Sequence, residues 1–245
     1  MSQCYTCKQA VVKNESRLSM LVLQYCRADQ MFASSARATV CRSSSRFFTT
    51  MSLPREYVSK PEQCAPFNFG PASSRDSIVY TCERPGMSHA TNADGSGELG
   101  SIPEASVKQW VEFMKENKVK RVLTLLDPNE IELYERPLES ICKKHGFAFA
   151  HVPMGEPGAV DRVTAALEEA SLANERIIAH CTHGMGRSGR VSAAWLVHRY
   201  GLSAEEATKE VMATAERSSI VRLGSAEKLS AWMEGGAAYK NAMNG

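Results

Sequence analysis

At 245 residues the chain has room for one ordinary domain and an extension, and a hydrophobic content of 43% is enough for a real core. The formal charge of +2 is unevenly spread: residues 1–50 hold seven Lys or Arg against Glu15 and Asp29, so this stretch is +5 and the remainder −3. The larger part therefore lacks the basic surface of a general nucleic-acid binder, and no apolar run reaches the roughly 18 residues of a membrane span.

Residues 1–60 read as an N-terminal extension. They are rich in Arg and Ser, poor in acids, and close on Arg42-Ser-Ser-Ser-Arg46-Phe47-Phe48-Thr49-Thr50. That is the composition of a mitochondrial presequence processed between Phe47 and Ser52. A plastid transit peptide, or a disordered tail ahead of a cytoplasmic start at Met51, has the same composition. Cys4-x-x-Cys7 has no second ligand pair, so no metal or other cofactor is expected. The other cysteines have no spacing of a disulfide framework.

Residues 61–245 read as one domain. Lys60 to Ser77 is irregular, and Ser77 to Thr81 is a short strand. Cys82 to Gly100 is a loop with turn residues at Asn92-Ala-Asp94-Gly95. Ser101-Ile-Pro103-Glu104 has the form of a capping box. The helix it opens, to about Asn117, buries Val107, Trp110, Val111 and Met114 at helical spacing. Val119 to Leu126 is a nearly continuous apolar strand, as a parallel sheet requires. Asp127-Pro128-Asn129-Glu130 starts a helix running to about Lys144. Phe147 to Met154 is a strand, followed by a helix to about Ala173. Arg176 to His180 is the next strand, and Gly189 to Tyr200 a helix stopped by Gly201. Ser203-Ala-Glu-Glu206 caps another helix, and Ala226 to Tyr239 forms the last. The alternation predicts an α/β layered domain whose mainly parallel central sheet is flanked by helices.

The most informative stretch links the last strand to the helix after it: His180-Cys181-Thr182-His183-Gly184-Met185-Gly186-Arg187-Ser188. A sulfur nucleophile and a guanidinium stand six positions apart. Thr182, His183, Gly184, Met185 and Gly186 between them have backbone N–H groups that a tight loop turns toward one anion. Gly184 and Gly186 permit the backbone such a loop needs. Arg187 grips phosphate oxygens in pairs, as lysine does not. The helix N-terminus and Arg187 both favour a thiolate at Cys181.

This block resembles the His-Cys-x5-Arg-Ser/Thr signature of the cysteine-dependent protein tyrosine and dual-specificity phosphatases. The resemblance spans roughly Phe67 to Tyr239, with the spacing of an atypical dual-specificity phosphatase. It implies the layered phosphatase fold and a phosphocysteine mechanism. Cys181 is then the nucleophile, and Arg187 with the backbone of residues 182–186 the phosphate seat. Ser188 steadies the departing thiolate, and His180 orients the loop through ring hydrogen bonds. The chain departs from the family at the general acid. The usual aspartate falls near Pro153-Met154-Gly155, where there is none. Glu156 in the same loop, Asp161 in the following helical turn and Asp127 at a strand end are the substitutes, and a substrate with a good leaving group needs no acid.

Other residues carry further expectations. Arg84-Pro85-Gly86 resembles a loop near the active site of microbial phosphatase-like sequences, which places Arg84 at the pocket border. His183 sits beside the nucleophile. Arg217 and Arg222 occupy positions where relatives often have basic residues facing a second phosphate or a substrate surface. Trp110, Trp195 and Trp232 belong to the core. Cys82 or Cys142 is a candidate partner for Cys181 in a reversible disulfide. The implied partner is a protein phosphorylated on tyrosine, and also on serine or threonine. His-Cys-Thr-His-Gly also resembles RNA 5′-triphosphatases, though Gly186 stands where that branch has Asn. Cys181-Thr-x-Gly184-Met185-Gly186-Arg187 resembles plant phosphoglucan phosphatases; the lysines of phospholipid phosphatases are absent. A domain that binds phosphoproteins without turning them over is the remaining alternative.

Overall fold

The computed structural model describes residues 64–235, apart from 90, 91, 93 and 94. The N-terminal extension, Cys4, Cys7 and the end of the helix expected to reach Tyr239 lie outside the described residues. Five strands are present: β1 (Gly70–Pro71), β2 (Val79–Glu83), β3 (Val119–Thr124), β4 (Ala148–His151) and β5 (Arg176–Cys181). The helices are α1 (Glu104–Glu116), α2 (Pro128–Ile131), α3 (Leu138–Lys144), α4 (Ala159–Leu172), α5 (Gly186–Tyr200), α6 (Ala204–Arg217) and α7 (Ala226–Met233).

The sheet order is β1-β2-β5-β3-β4, and every pairing except β1 with β2 is parallel. β5 lies in the middle, with Glu83 opposite Cys181 on one side and Thr124 opposite His180 on the other. A central strand is covered on both faces, which is why its Ile177-Ile178-Ala179 run has no polar alternation. Ile177, Ala179 and Cys181 point into one core layer and Ile178 into the other.

Val107, Trp110, Val111 and Met114 of α1, with Leu138, Ile141 and Cys142 of α3, pack on one face against Val122, Leu126 and Ile178. The other face is covered by α4 through α7, with Val163, Leu167, Val191, Trp195, Val211 and Trp232 in the layer. All three tryptophans are buried. Each indole N–H has an acceptor: the Glu83 carbonyl for Trp110 (3.3 Å), Asp76 for Trp195 and the Met154 carbonyl for Trp232 (3.2 Å).

Two local expectations give way to tertiary pairing. Ser101 does not cap α1. Its neighbour Ile102 is paired in extended form with the 133–135 segment, through Ile102 N–H to Leu133 O (2.8 Å) and Glu135 N–H to Ile102 O (3.0 Å). Glu135 then reaches the first turn of α1, accepting from Glu104 N–H at 3.2 Å. The same pairing, with Pro137, divides the helix expected over 127–144 into α2 and α3. The Ser203–Glu206 capping box forms as expected. No described helix is long and apolar enough to cross a membrane.

Candidate active site

Cys181 ends β5, and α5 begins only five residues later, at Gly186. Arg187 and Ser188 therefore lie in the first helical turn rather than in the loop. The N–H groups of that turn lack intrahelical partners and favour an anion in front of the loop. Gly184 has φ +68°, and a Cβ there would stand 2.5 Å from the backbone of Cys82 and Glu83. The loop is thus seated on the end of β2, and only glycine fits that contact. The Ser188 hydroxyl donates to Cys181 Sγ at 3.2 Å. Such a contact stabilises charge on sulfur.

Two residues secure the loop from behind. The Asn68 side-chain amide donates to the carbonyls of His183 (3.1 Å), Gly184 (3.2 Å) and Val221 (3.1 Å). Its oxygen accepts the Val221 N–H at 2.8 Å. Carbonyls drawn outward leave N–H groups turned inward. Arg222 is buried and donates to Thr81 Oγ1 (2.8 Å), Thr81 O (2.8 Å), Val221 O (2.8 Å) and Asn68 O (2.9 Å). Burial still pushes its pKa down, to about 10. It is a strut with its donors committed inward, not the substrate-facing group expected. Arg217 bonds Thr214 Oγ1 of its own helix at 3.2 Å. Nothing in the local sequence around Asn68 announces its role, because its partners lie 115 to 153 positions away.

Arg187 meets the carboxylate of Glu130, a residue that also belongs to the start of α2. Glu130 receives Arg187 Nη1 on Oε2 (2.5 Å) and Nη2 on Oε1 (2.7 Å). Its Oε2 also accepts the Asp127 N–H at 2.8 Å, and Oε1 the Thr182 hydroxyl. Burial pushes the Glu130 carboxyl up, but the bonds and charge of Arg187 and the Thr182 hydroxyl outweigh this and bring it down to about 2. Arg187 Nη1 also donates to Leu125 O (3.0 Å), and Nη2 to Thr182 Oγ1 (2.6 Å). Four of the five guanidinium N–H donors are thereby accounted for.

The three candidate acids occupy different places. Asp127 Oδ2 lies 3.5 Å from Arg187 Nη1, and burial raises its carboxyl pKa against the pull of that arginine. Glu156 is turned to Arg162 in a surface ion pair (2.7 Å). Asp161 is exposed in the first turn of α4, where an acid suits the helix dipole. Of the three, Asp127 alone lies beside Arg187.

His180 departs from expectation. It is fully buried, neither ring nitrogen has a hydrogen-bond partner, and burial drives its pKa down to about 3. It contributes by edge-on packing to Trp110, with centroids 5.6 Å apart, not by ring hydrogen bonds. His183 is half-buried beside the loop. Arg84 borders the loop from the inside: its backbone N–H donates to Thr182 O at 3.2 Å. Cys82 and Cys142 both lie in the core layer opposite the one that holds Cys181. Among the described residues no group of three or more His, Cys, Asp or Glu is placed to hold a metal ion.

The arrangement unites an enclosed sulfur, a hydroxyl bonded to it, a guanidinium in the helical turn that follows the loop and, beside that guanidinium, a carboxyl whose pKa burial raises. Residues 105–233 match the dual specificity phosphatase catalytic domain family. Among solved structures, the chain is similar to kinase associated phosphatase with its catalytic-site cysteine replaced by serine. Identity is 16%, the TM-score 0.50, and the match covers 71% of this chain and 97% of that one. PTPMT1 in complex with PI(5)P matches at 17% identity and TM-score 0.48, over 71% and 98%. Tk-PTP in its active form matches at 19% and 0.45, over 67% and 93%. No curated protein sequence matches.

Proposed function

This chain belongs to the dual specificity phosphatase family, and from that premise we propose that it hydrolyses phosphomonoesters through a phosphocysteine at Cys181, with proteins phosphorylated on tyrosine and on serine or threonine as substrates. The observation that carries the reading is the Ser188 hydroxyl on Cys181 Sγ at 3.2 Å, with Arg187 in the same helical turn. Cys181 Sγ attacks phosphorus and the bond to the leaving oxygen breaks, while a carboxylic acid donates its proton to that oxygen. Water then attacks the phosphocysteine, the same carboxylate takes the water's proton, and the S–P bond breaks to release inorganic phosphate. Ser188 hydrogen-bonds the departing thiolate. Arg187 and the loop N–H groups hold the equatorial oxygens, whose charge rewards fixed donors. Asp127 is the proposed acid, since it adjoins Arg187 and its raised pKa keeps more of it protonated.

A second substrate class has its own support. A cavity of about 370 Å³ adjoins Glu130 and Asp127, and its described lining also includes Ser96, Asn129 and the glycines 95 and 97. Only Leu99 and Leu133 there are apolar. The hydroxyls of a sugar or inositol phosphate find carboxylate and amide partners in such a lining.

One panel tests both. The protein is assayed on aryl phosphates, phosphopeptides, phosphoglucan, phosphoinositides and triphosphate-ended RNA, with Cys181→Ser as the blank, and quenched rapidly in acid to trap a phosphate adduct on Cys181. Turnover of phosphopeptides with a trapped adduct supports the first class. Turnover confined to hydroxyl-rich phosphates moves the assignment to the second. Binding with no phosphate release and no adduct refutes catalysis.

A further inference from the structure

Arg84 is fully buried, and among the described residues its guanidinium has one partner: Nη2 donates to the Gly95 carbonyl at 2.5 Å. Nε and Nη1 have none. Charged donors enclosed without acceptors are costly and call for a physical reason. Burial accordingly pushes the Arg84 pKa down, while Tyr134 and, after it, the Glu130 carboxylate push it back up. This cost is borne beside the catalytic loop. Thr182 joins the two groups: its carbonyl accepts the Arg84 backbone N–H at 3.2 Å, and its hydroxyl donates to Glu130. The cavity of about 370 Å³ is walled by Glu130 and by Gly95, the residue Arg84 holds. Glu130 therefore borders open space on this side of the loop.

The consequence rests on the phosphate-transfer reading above. To grip a phosphate with two parallel N–H groups, Arg187 has only Nε uncommitted and must give up an acceptor on Nη2, which now serves Glu130 and Thr182. A phosphate dianion and the Glu130 carboxylate on one guanidinium also repel each other in an enclosed site. We propose that Arg84 is a positioning residue that receives the Glu130 carboxylate when substrate phosphate occupies Arg187, so that Glu130 passes between two guanidiniums in each turnover. The exchange keeps every charge paired: Arg187 with phosphate and Arg84 with Glu130. No covalent bond changes.

The test is inorganic phosphate binding to the full chain carrying Cys181→Ser, measured calorimetrically. Native residues 84 and 130 are compared with Arg84→Gln, Glu130→Gln and the two together. Arg84→Gln is expected to weaken phosphate by about tenfold or more, the worth of one charged hydrogen bond. In the Glu130→Gln background the same change costs less than about twofold, because no carboxylate remains to be received. Arg84→Lys, which keeps the charge, loses less than Arg84→Gln and only where Glu130 is present. An Arg84→Gln loss of equal size in both backgrounds reveals a merely structural role and overturns the exchange, as does no loss in either. If Arg84→Gln does not fold, Arg84→Lys in the two backgrounds decides by the same comparison. Failure of the protein with native residues 84 and 130 to bind phosphate at all refutes the phosphate seat itself, a different result from additivity.

Discussion

Removing the Asn68 side chain should loosen the catalytic loop without touching it. The amide nitrogen has two hydrogens shared among three carbonyls at 3.1 to 3.2 Å, and Oδ1 holds the Val221 N–H at 2.8 Å. Asn68 is 1% exposed, so water does not take its place easily. Its φ of 50° lies in the left-handed region that asparagine tolerates better than alanine. Each buried group left unsatisfied costs about 1–3 kcal/mol, and the backbone adds about 1 kcal/mol for alanine. Because some orphaned groups relax toward other partners, Asn68→Ala should cost on the order of 4 kcal/mol. For a domain of this size that lowers the melting temperature by about 10 °C. Asn68→Asp is the sharper probe. It keeps volume, left-handed tolerance and the bond to Val221 N–H, but turns an acceptor with negative charge toward two loop carbonyls. Its kcat/KM on an aryl phosphate should fall by at least about tenfold, the effect of one misdirected charged contact. Denaturant unfolding and steady-state kinetics read the two effects separately. An unchanged unfolding midpoint for Asn68→Ala, together with native kcat/KM for Asn68→Asp, would show that the loop does not depend on this anchor.

Three further outcomes follow from the site. Asp127→Asn should slow aryl phosphates with poor leaving groups by about 100-fold or more and spare those with good ones; Glu156→Gln should slow neither, and the reverse pattern would move the acid to Glu156. His180 has a folded pKa of about 3 against an ordinary 6.5, so the unfolded chain binds a proton that the folded chain refuses. Its contribution is fully present above about pH 6.5 and is lost progressively as pH falls toward 3. His180→Leu should therefore flatten the stability–pH curve below pH 6.5, and an unchanged slope would mean the ring is protonated in the fold. Gly184→Ala combines φ +68° with a 2.5 Å approach to the end of β2. It should destabilise by about 1–3 kcal/mol and abolish most phosphate binding, since the loop cannot shift alone; native calorimetric affinity would refute that seating.

The layered fold and the signature loop were legible because each depends on short-range pattern. Val122 to Leu126, broken only by Thr124, and Ile177 to Ala179 are buried, largely apolar runs that a sheet covered on both faces accommodates. Cys181, Arg187 and Ser188 are brought together by one strand, one loop and one helical turn, so the stretch from 181 to 188 contains their whole geometry. What surrounds them was decided by contacts between distant segments. Ser101 has the residues of a capping box around it, yet backbone pairing of Ile102 with the 133–135 chain takes it away from α1. Glu130 fits a helix start and is also the carboxylate on Arg187, 57 positions away. Asn68 and Arg222 hold the loop through bonds that span up to 154 positions. Arg84 became a buried, half-partnered cation only when Gly95 closed over it. The amino-acid order alone marked Cys181 and Arg187 as the candidate nucleophile and anion seat, because both lie within one short stretch. Only tertiary packing determined which charges face those atoms, because a charge acts through space and its position depends on how separate segments are folded against one another.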